Sequence, residues 1–158
     1  MNPYQASERT EKICRLAPVI PVLVVQNPET ARPLAEALIS GGLPVLEITL
    51  RTKSALQVIS EMAKVPGAVV GAGTITKSND IKDAINAGAS FAISPGVTDT
   101  ILEESERHKL AIMPGAATPS EIMRLFQLGY SVQKFFPAEA NGGRAALKAI
   151  AGPLPNVK

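Results

Sequence analysis

The feature that most restricts the fold of this chain is a repeating unit. A short apolar run rich in β-branched residues is followed by a turn marked with glycine or proline, then by a segment of helical period. The apolar runs occupy 19–25, 45–50, 68–74, 91–96, 110–115 and 131–136. Their centres recur roughly every 19–25 residues, a spacing that leaves room for one helix between strands. Strands that each lead into a helix can share a sheet only as parallel neighbours with the helices outside.

Capping signals place the helices. Ser7 is expected to start an N-terminal helix over 7–16, and Asn27-Pro28 pairs a cap with proline at the first helical position. Ser54, Ser78 and Thr98 are further starts. Thr118-Pro119-Ser120-Glu121 reads as a capping box whose helix closes at Gly129. Two architectures satisfy this order, a closed (β/α)8 barrel and a doubly wound sheet. The regular period and the polar residues gathered at strand C-terminal ends favour the TIM barrel, and no dominant switch-point motif supports the open sheet.

Length complicates that reading. A barrel usually needs at least roughly 200 residues, whereas this chain has 158. Six units end near Gly152, and Pro155-Asn156-Val157-Lys158 reads as the start of a seventh strand. The expectation is one domain, 1–158, truncated after six βα units and lacking the C-terminal two.

Composition narrows the function. With 46% hydrophobic and 19% charged residues the chain is globular. A net charge of +2, no basic run and no Trp leave little to hold nucleic acid. The longest apolar stretch, 16–25, contains Pro18 and Pro21 and is too short to span a bilayer. The single cysteine, Cys14, cannot form an intrachain disulfide and reads as a small buried residue. With no signal-peptide pattern at the start, a cytoplasmic location is the expectation. His108 is the only histidine and reads as part of a solvated helix end, so no metal site is expected.

The chemistry gathers on two strands. In 45–51, Val45, Glu47, Thr49 and Arg51 share one face, and Leu46, Ile48 and Leu50 share the other. The aliphatic face suits the helices, so the polar face points into the barrel. In 131–136, Val132, Lys134 and Phe136 share a face opposite Gln133 and Phe135. Lysine is rarely buried without a partner or a task. A structural ion pair between Glu47 and Lys134 or Arg51 is one reading. It is a weak one, because barrel interiors are ordinarily filled by branched aliphatics and buried pairs add little net stability. The alternative is a site in which Lys134 attacks a carbonyl, Glu47 transfers protons and Arg51 holds an acid by a forked contact. Gly71-Ala72-Gly73-Thr74 lacks the spacing of a dinucleotide fingerprint. Its glycines read as letting the backbone approach a small ligand, with ordinary packing as the alternative, and Thr74 offers a hydroxyl at the strand end.

These residues also resemble a known family. Leu46-Glu47-Ile48-Thr49-Leu50-Arg51-Thr52, Gly71-Ala72-Gly73-Thr74, Phe91-Ala92-Ile93-Ser94-Pro95-Gly96 and Lys134-Phe135-Phe136-Pro137-Ala138-Glu139-Ala140-Asn141-Gly142-Gly143 are similar to the motifs of the KDPG/KHG aldolases. The resemblance covers essentially the whole chain. It implies a metal-independent class I aldolase on a TIM barrel, without cofactor, usually a homotrimer of the Entner–Doudoroff pathway. Its substrate would be a keto-acid phosphate, 2-dehydro-3-deoxy-6-phosphogluconate, with 4-hydroxy-2-oxoglutarate as a second. By motif position Lys134 matches the Schiff-base lysine and Glu47 the proton-transfer carboxylate. Arg51 and Thr74 match binders of the pyruvyl carboxylate, and Pro95 and Phe136 match pocket-lining positions. Family members continue through a seventh strand with a Thr-Gly-Gly-type turn and an eighth with a serine-bearing turn, which supply much of the phosphate site and are not in this sequence. Two other readings stand beside the lyase: a truncated, non-catalytic product that self-associates through exposed strand edges, and another lysine-dependent barrel lyase.

Overall fold

A computed structural model describes residues 1–158. Its central wall is built by β2 (Val45–Thr49) and β3 (Val69–Gly73), paired in parallel over their full length. All five residues of β2 are buried, as a strand covered on both faces requires. β1 (Val22–Leu23) lies on one side of this pair, and β4 (Phe91–Ile93) and β5 (Ala111–Met113) follow on the other. The strand order β1-β2-β3-β4-β5 follows the chain without a reversal. A doubly wound sheet turns back at a switch point, so the unreversed parallel order is that of a barrel wall.

The register fixes which side chains look inward. Val22, Glu47, Gly71, Phe91 and Ala111 are successive partners across the five strands and share one face. A further pair, β6 (Gly115–Ala116) and β7 (Lys134–Phe135), aligns Gly115 with Lys134. Pro114 separates β5 from β6, so the expected strand over 110–115 is divided: its first half pairs with β4 and its second with β7. A proline cannot donate to a ladder, but its carbonyl still accepts from the Lys134 N–H at 2.9 Å.

Helices α2 (Ala31–Ser40), α3 (Ala55–Ala63), α4 (Ser78–Asn86), α5 (Asp99–Arg107), α6 (Pro119–Leu128) and α7 (Gly143–Ala151) intervene between strands. The larger apolar cluster includes Leu46, Ile48, Val70 and Ile112 from the outward strand faces, packed with Val58, Ile59 and Ile81 of the helices. A smaller inner cluster contains Val45, Phe91, Ile93, Met113 and Val132. Ile13 of the first helix joins it and plugs the N-terminal end of the barrel.

That first helix, α1 (Pro3–Cys14), corrects the expected 7–16. Asn2 is the cap: its side chain accepts from the Gln5 N–H while Gln5 answers the Asn2 N–H. Asn2 and Ser7 both have the chemistry of a cap, and the proline that follows Asn2 at the first helical position decides between them. Ser7 is instead buried within the helix. Its hydroxyl donates to the Gly129 carbonyl and accepts from the Ser131 N–H, each at 3.0 Å. The strand expected over 19–25 shrinks to Val22–Leu23, because Pro21 cannot donate and β1 has a neighbour on one side only.

At the other margin Lys158 donates to the Ser131 carbonyl at 2.8 Å and accepts from the Gln133 N–H at 2.9 Å. Bonds that bracket one residue in this way are the pattern of a parallel ladder. Six strand positions therefore form an open arc, and its interior is unsealed: inward-facing Val22 is 51% exposed. No helix is long and apolar enough to cross a membrane.

Candidate active site

Glu47 sits in the middle of β2 with its side chain on the inner face, 3% exposed. Its Oε1 accepts a hydrogen bond from Lys134 Nζ across the barrel at 3.3 Å. Lys134 is 24% exposed at its side chain, and its Nζ stands 5.2 Å from the centre of the Phe136 ring. The alternation of residues along the two strands therefore brings together the carboxylate and the amine that the sequence placed on inner faces. A paired, largely enclosed lysine within reach of an acid is the arrangement that imine chemistry needs.

The glycines of β3 serve these side chains. A Cβ at Gly71 would fall 2.3 Å from the Phe91 ring, and one at Gly73 would fall 2.2 Å from Glu47 Oε1. Packing, the alternative to ligand approach, is therefore what the geometry shows at both positions. Both glycines share the inner face with Glu47, and the groups that fill the space over them come from β2 and β4.

The remaining expected residues are placed less uniformly. Pro95 and Phe136, with Gly96, Gly115, Ala117 and Arg124, line one cavity of about 120 Å³ where the strands end. Thr74 directly follows β3 with φ +63°, an unusual conformation for a β-branched residue and one often held at functional sites. Arg51 follows β2 in an exposed turn, without an ion pair, and does not join Glu47 and Lys134. Thr49 donates its hydroxyl to the Leu23 carbonyl at 3.0 Å, so it ties β2 to β1. A larger cavity, about 240 Å³, lies on the helix side of β7 among Ile122, Phe135, Leu147, Ile150 and Leu154.

His108 caps the C-terminal end of α5 and is exposed there, as expected. Its Nε2 lies 3.0 Å from the buried Glu104, which Lys82 and Arg107 also approach. Cys14 is half-buried at the end of α1, and burial pushes its thiol pKa up.

A model of the family described as KDPG and KHG aldolase matches residues 10–158. The chain is 50% identical to 2-dehydro-3-deoxy-phosphogluconate aldolase of Pseudoalteromonas atlantica over 89% of its length, and spans 66% of that protein. It is 48% identical to KHG/KDPG aldolase of Escherichia coli K12, covering 94% of this chain and 70% of that one. Among solved structures, the 2-keto-3-deoxy-6-phosphogluconate aldolase of Zymomonas mobilis with 3-phosphoglycerate superposes with a TM-score of 0.93 at 45% identity, over 96% of this chain and 73% of that one. The KDPG aldolase of Legionella pneumophila, with pyruvate captured as a covalent carbinolamine, gives 0.88 at 44% identity, over 92% and 71%. The sequential parallel wall, the inward Glu47–Lys134 pair and these matches agree: the chain belongs to the KDPG and KHG aldolase family.

Proposed function

We propose that this chain carries a class I aldolase site that cleaves 2-dehydro-3-deoxy-6-phosphogluconate to pyruvate and glyceraldehyde 3-phosphate, and 4-hydroxy-2-oxoglutarate to pyruvate and glyoxylate. The observation that carries the reading is the 3.3 Å contact between Lys134 Nζ and Glu47 Oε1 on the inner face. The carbinolamine captured in the Legionella protein supports the same chemistry here.

In this mechanism the neutral Lys134 amine adds to the ketone carbon of the substrate, and loss of water gives an iminium. Cleavage of the bond between the third and fourth carbons sends its electron pair into the iminium and leaves an enamine. The proton of the fourth-carbon hydroxyl passes to the Glu47 carboxylate as the aldehyde forms. Glu47 then returns a proton to the third carbon, and water hydrolyses the imine to free pyruvate and amine. Arg51 and Thr74 hold the carboxylate of the keto acid, and Pro95 and Phe136 wall the pocket. Arg51 must swing inward from its exposed turn to do so, which is open to a side chain with no ion pair to break.

The enzyme is read as cytoplasmic and, on the family resemblance, as a homotrimer, and sedimentation of the purified chain checks the assembly. The activity is tested by following pyruvate release from each substrate. Lys134→Arg is expected to abolish release, and Glu47→Gln to lower it about 10²–10⁴-fold, the usual contribution of a proton-transfer group. Undiminished release by either variant contradicts the assignment.

A further inference from the structure

We propose that Gly73 is a positioning residue for the reaction, and that its missing side chain is the seat that fixes the Glu47 carboxylate opposite Lys134. The proposal rests on the aldolase reading above and extends it to a residue that contacts no substrate.

In the register of the wall Glu47 pairs with Gly71, so its carboxylate leans one step further along β3, toward the C-terminal rim, to reach Gly73. A Cβ on Gly73 would meet Glu47 Oε1 at 2.2 Å, Cγ at 2.7 Å and Cδ at 2.8 Å. The outer half of the glutamate thus lies flat against the β3 backbone in the volume that any other residue would fill. Phe91 occupies the corresponding space over Gly71 and closes the route downward. Burial closes the route to water, since Glu47 is 2% exposed. The oxygen in closest approach to this seat is the same Oε1 that accepts from Lys134. An alanine at 73 therefore displaces the acid from the atom it serves and leaves Lys134 itself in place.

The proton-transfer step and the imine-forming step separate these roles. In Gly73→Ala, exchange of solvent deuterium into the methyl group of pyruvate, which requires protonation of the enamine, is expected to fall about 100-fold, the cost of a misplacement near 1 Å. Borohydride trapping of pyruvate on Lys134 is expected to persist. Glu47→Asp shortens the acid by one methylene, so Gly73→Ala/Glu47→Asp is expected to exchange at least tenfold faster than Gly73→Ala, although Glu47→Asp alone slows the parent. Exchange in Gly73→Ala equal to the parent overturns the proposal. So does a loss of exchange and trapping together, in proportion to lost folded protein. If Gly73→Ala does not fold, the double variant must fold, and its failure to do so overturns the proposal as well. Absence of any adduct in the parent chain would instead sink the aldolase reading. The seat is then read from a crystal structure of Gly73→Ala, where a Lys134–Glu47 contact still at 3.3 Å counts against it.

Discussion

β2 and β7 deliver the two groups of the proposed site, Glu47 and Lys134, from unlike surroundings. β2 is buried at every position and paired on both sides, so Glu47 is held by strands, an inner layer and a glycine seat. β7 is two residues long, both residues are only partly covered, and its outer neighbour is the single residue Lys158. Behind it lies a cavity of about 240 Å³, and the buried Gln133 Oε1 beside it has no partner. A buried acceptor left unpaired is uncommon in a finished core. The contrast teaches that the acid of this site is set by the enclosed wall, whereas the lysine depends on a strand near the arc's open margin.

Stability should divide along the same line. Leu46→Ala removes a fully buried side chain from the enclosed wall and is expected to cost about 2–5 kcal/mol by denaturant titration. Leu147→Ala, on α7 with 48% exposure, is expected to change stability by no more than about 0.5 kcal/mol. Equal losses at the two positions would erase the distinction between the walls.

The seam between them is sharpened by Ser7. Its hydroxyl links α1 to Gly129 and Ser131, three residues before Lys134. Ser7→Ala leaves a buried carbonyl and a part-buried N–H unpaired, and is expected to cost about 1–3 kcal/mol. Hydrogen exchange should rise first in 129–136 and leave β2 protected. Uniform loss of protection would mean that the lysine strand is no less secure than the wall.

The smallest effect belongs to α6. Backbone N–H groups of Ala117 and Thr118, and then the Thr118 hydroxyl, hold the Glu121 carboxyl below the usual range. A depressed carboxylate stabilises the fold above its unfolded value, about 4.3, and that contribution is lost as pH falls through the lower folded value. Glu121 is exposed and water screens its charge, so losing its half of the capping box in Glu121→Ala is expected to cost no more than about 0.3–1 kcal/mol at pH 7, a difference from the parent that shrinks steadily as the pH is lowered below about 4.3. A difference that persists undiminished in acid would place the effect in packing.

Much of this was legible beforehand, for physical reasons that differ by element. The polar and aliphatic alternation of 45–51 fixes the direction of Glu47 because the side-chain period of a strand is two, and the same rule turns Lys134 toward it. The box at Thr118 and Glu121 is legible because both partners are local. What depends on distant atoms was not. The division of one strand at Pro114 follows from which neighbour each half meets, and Ser7 takes its role from residues more than a hundred positions away. The β3 glycines were read as room for a ligand, because the Phe91 ring and the Glu47 carboxylate that fill that space come from other strands. Arg51 shares the parity of Glu47 but lies past the end of β2, where strand alternation no longer directs a side chain.

The most direct test of the account is to incubate the chain with pyruvate, reduce with borohydride and locate the adduct by mass spectrometry. One pyruvyl adduct on Lys134, lost in Lys134→Arg, is the predicted result. An adduct confined to exposed lysines such as Lys53 or Lys148, with Lys134 unmodified, would contradict the assignment of Lys134 as the nucleophile.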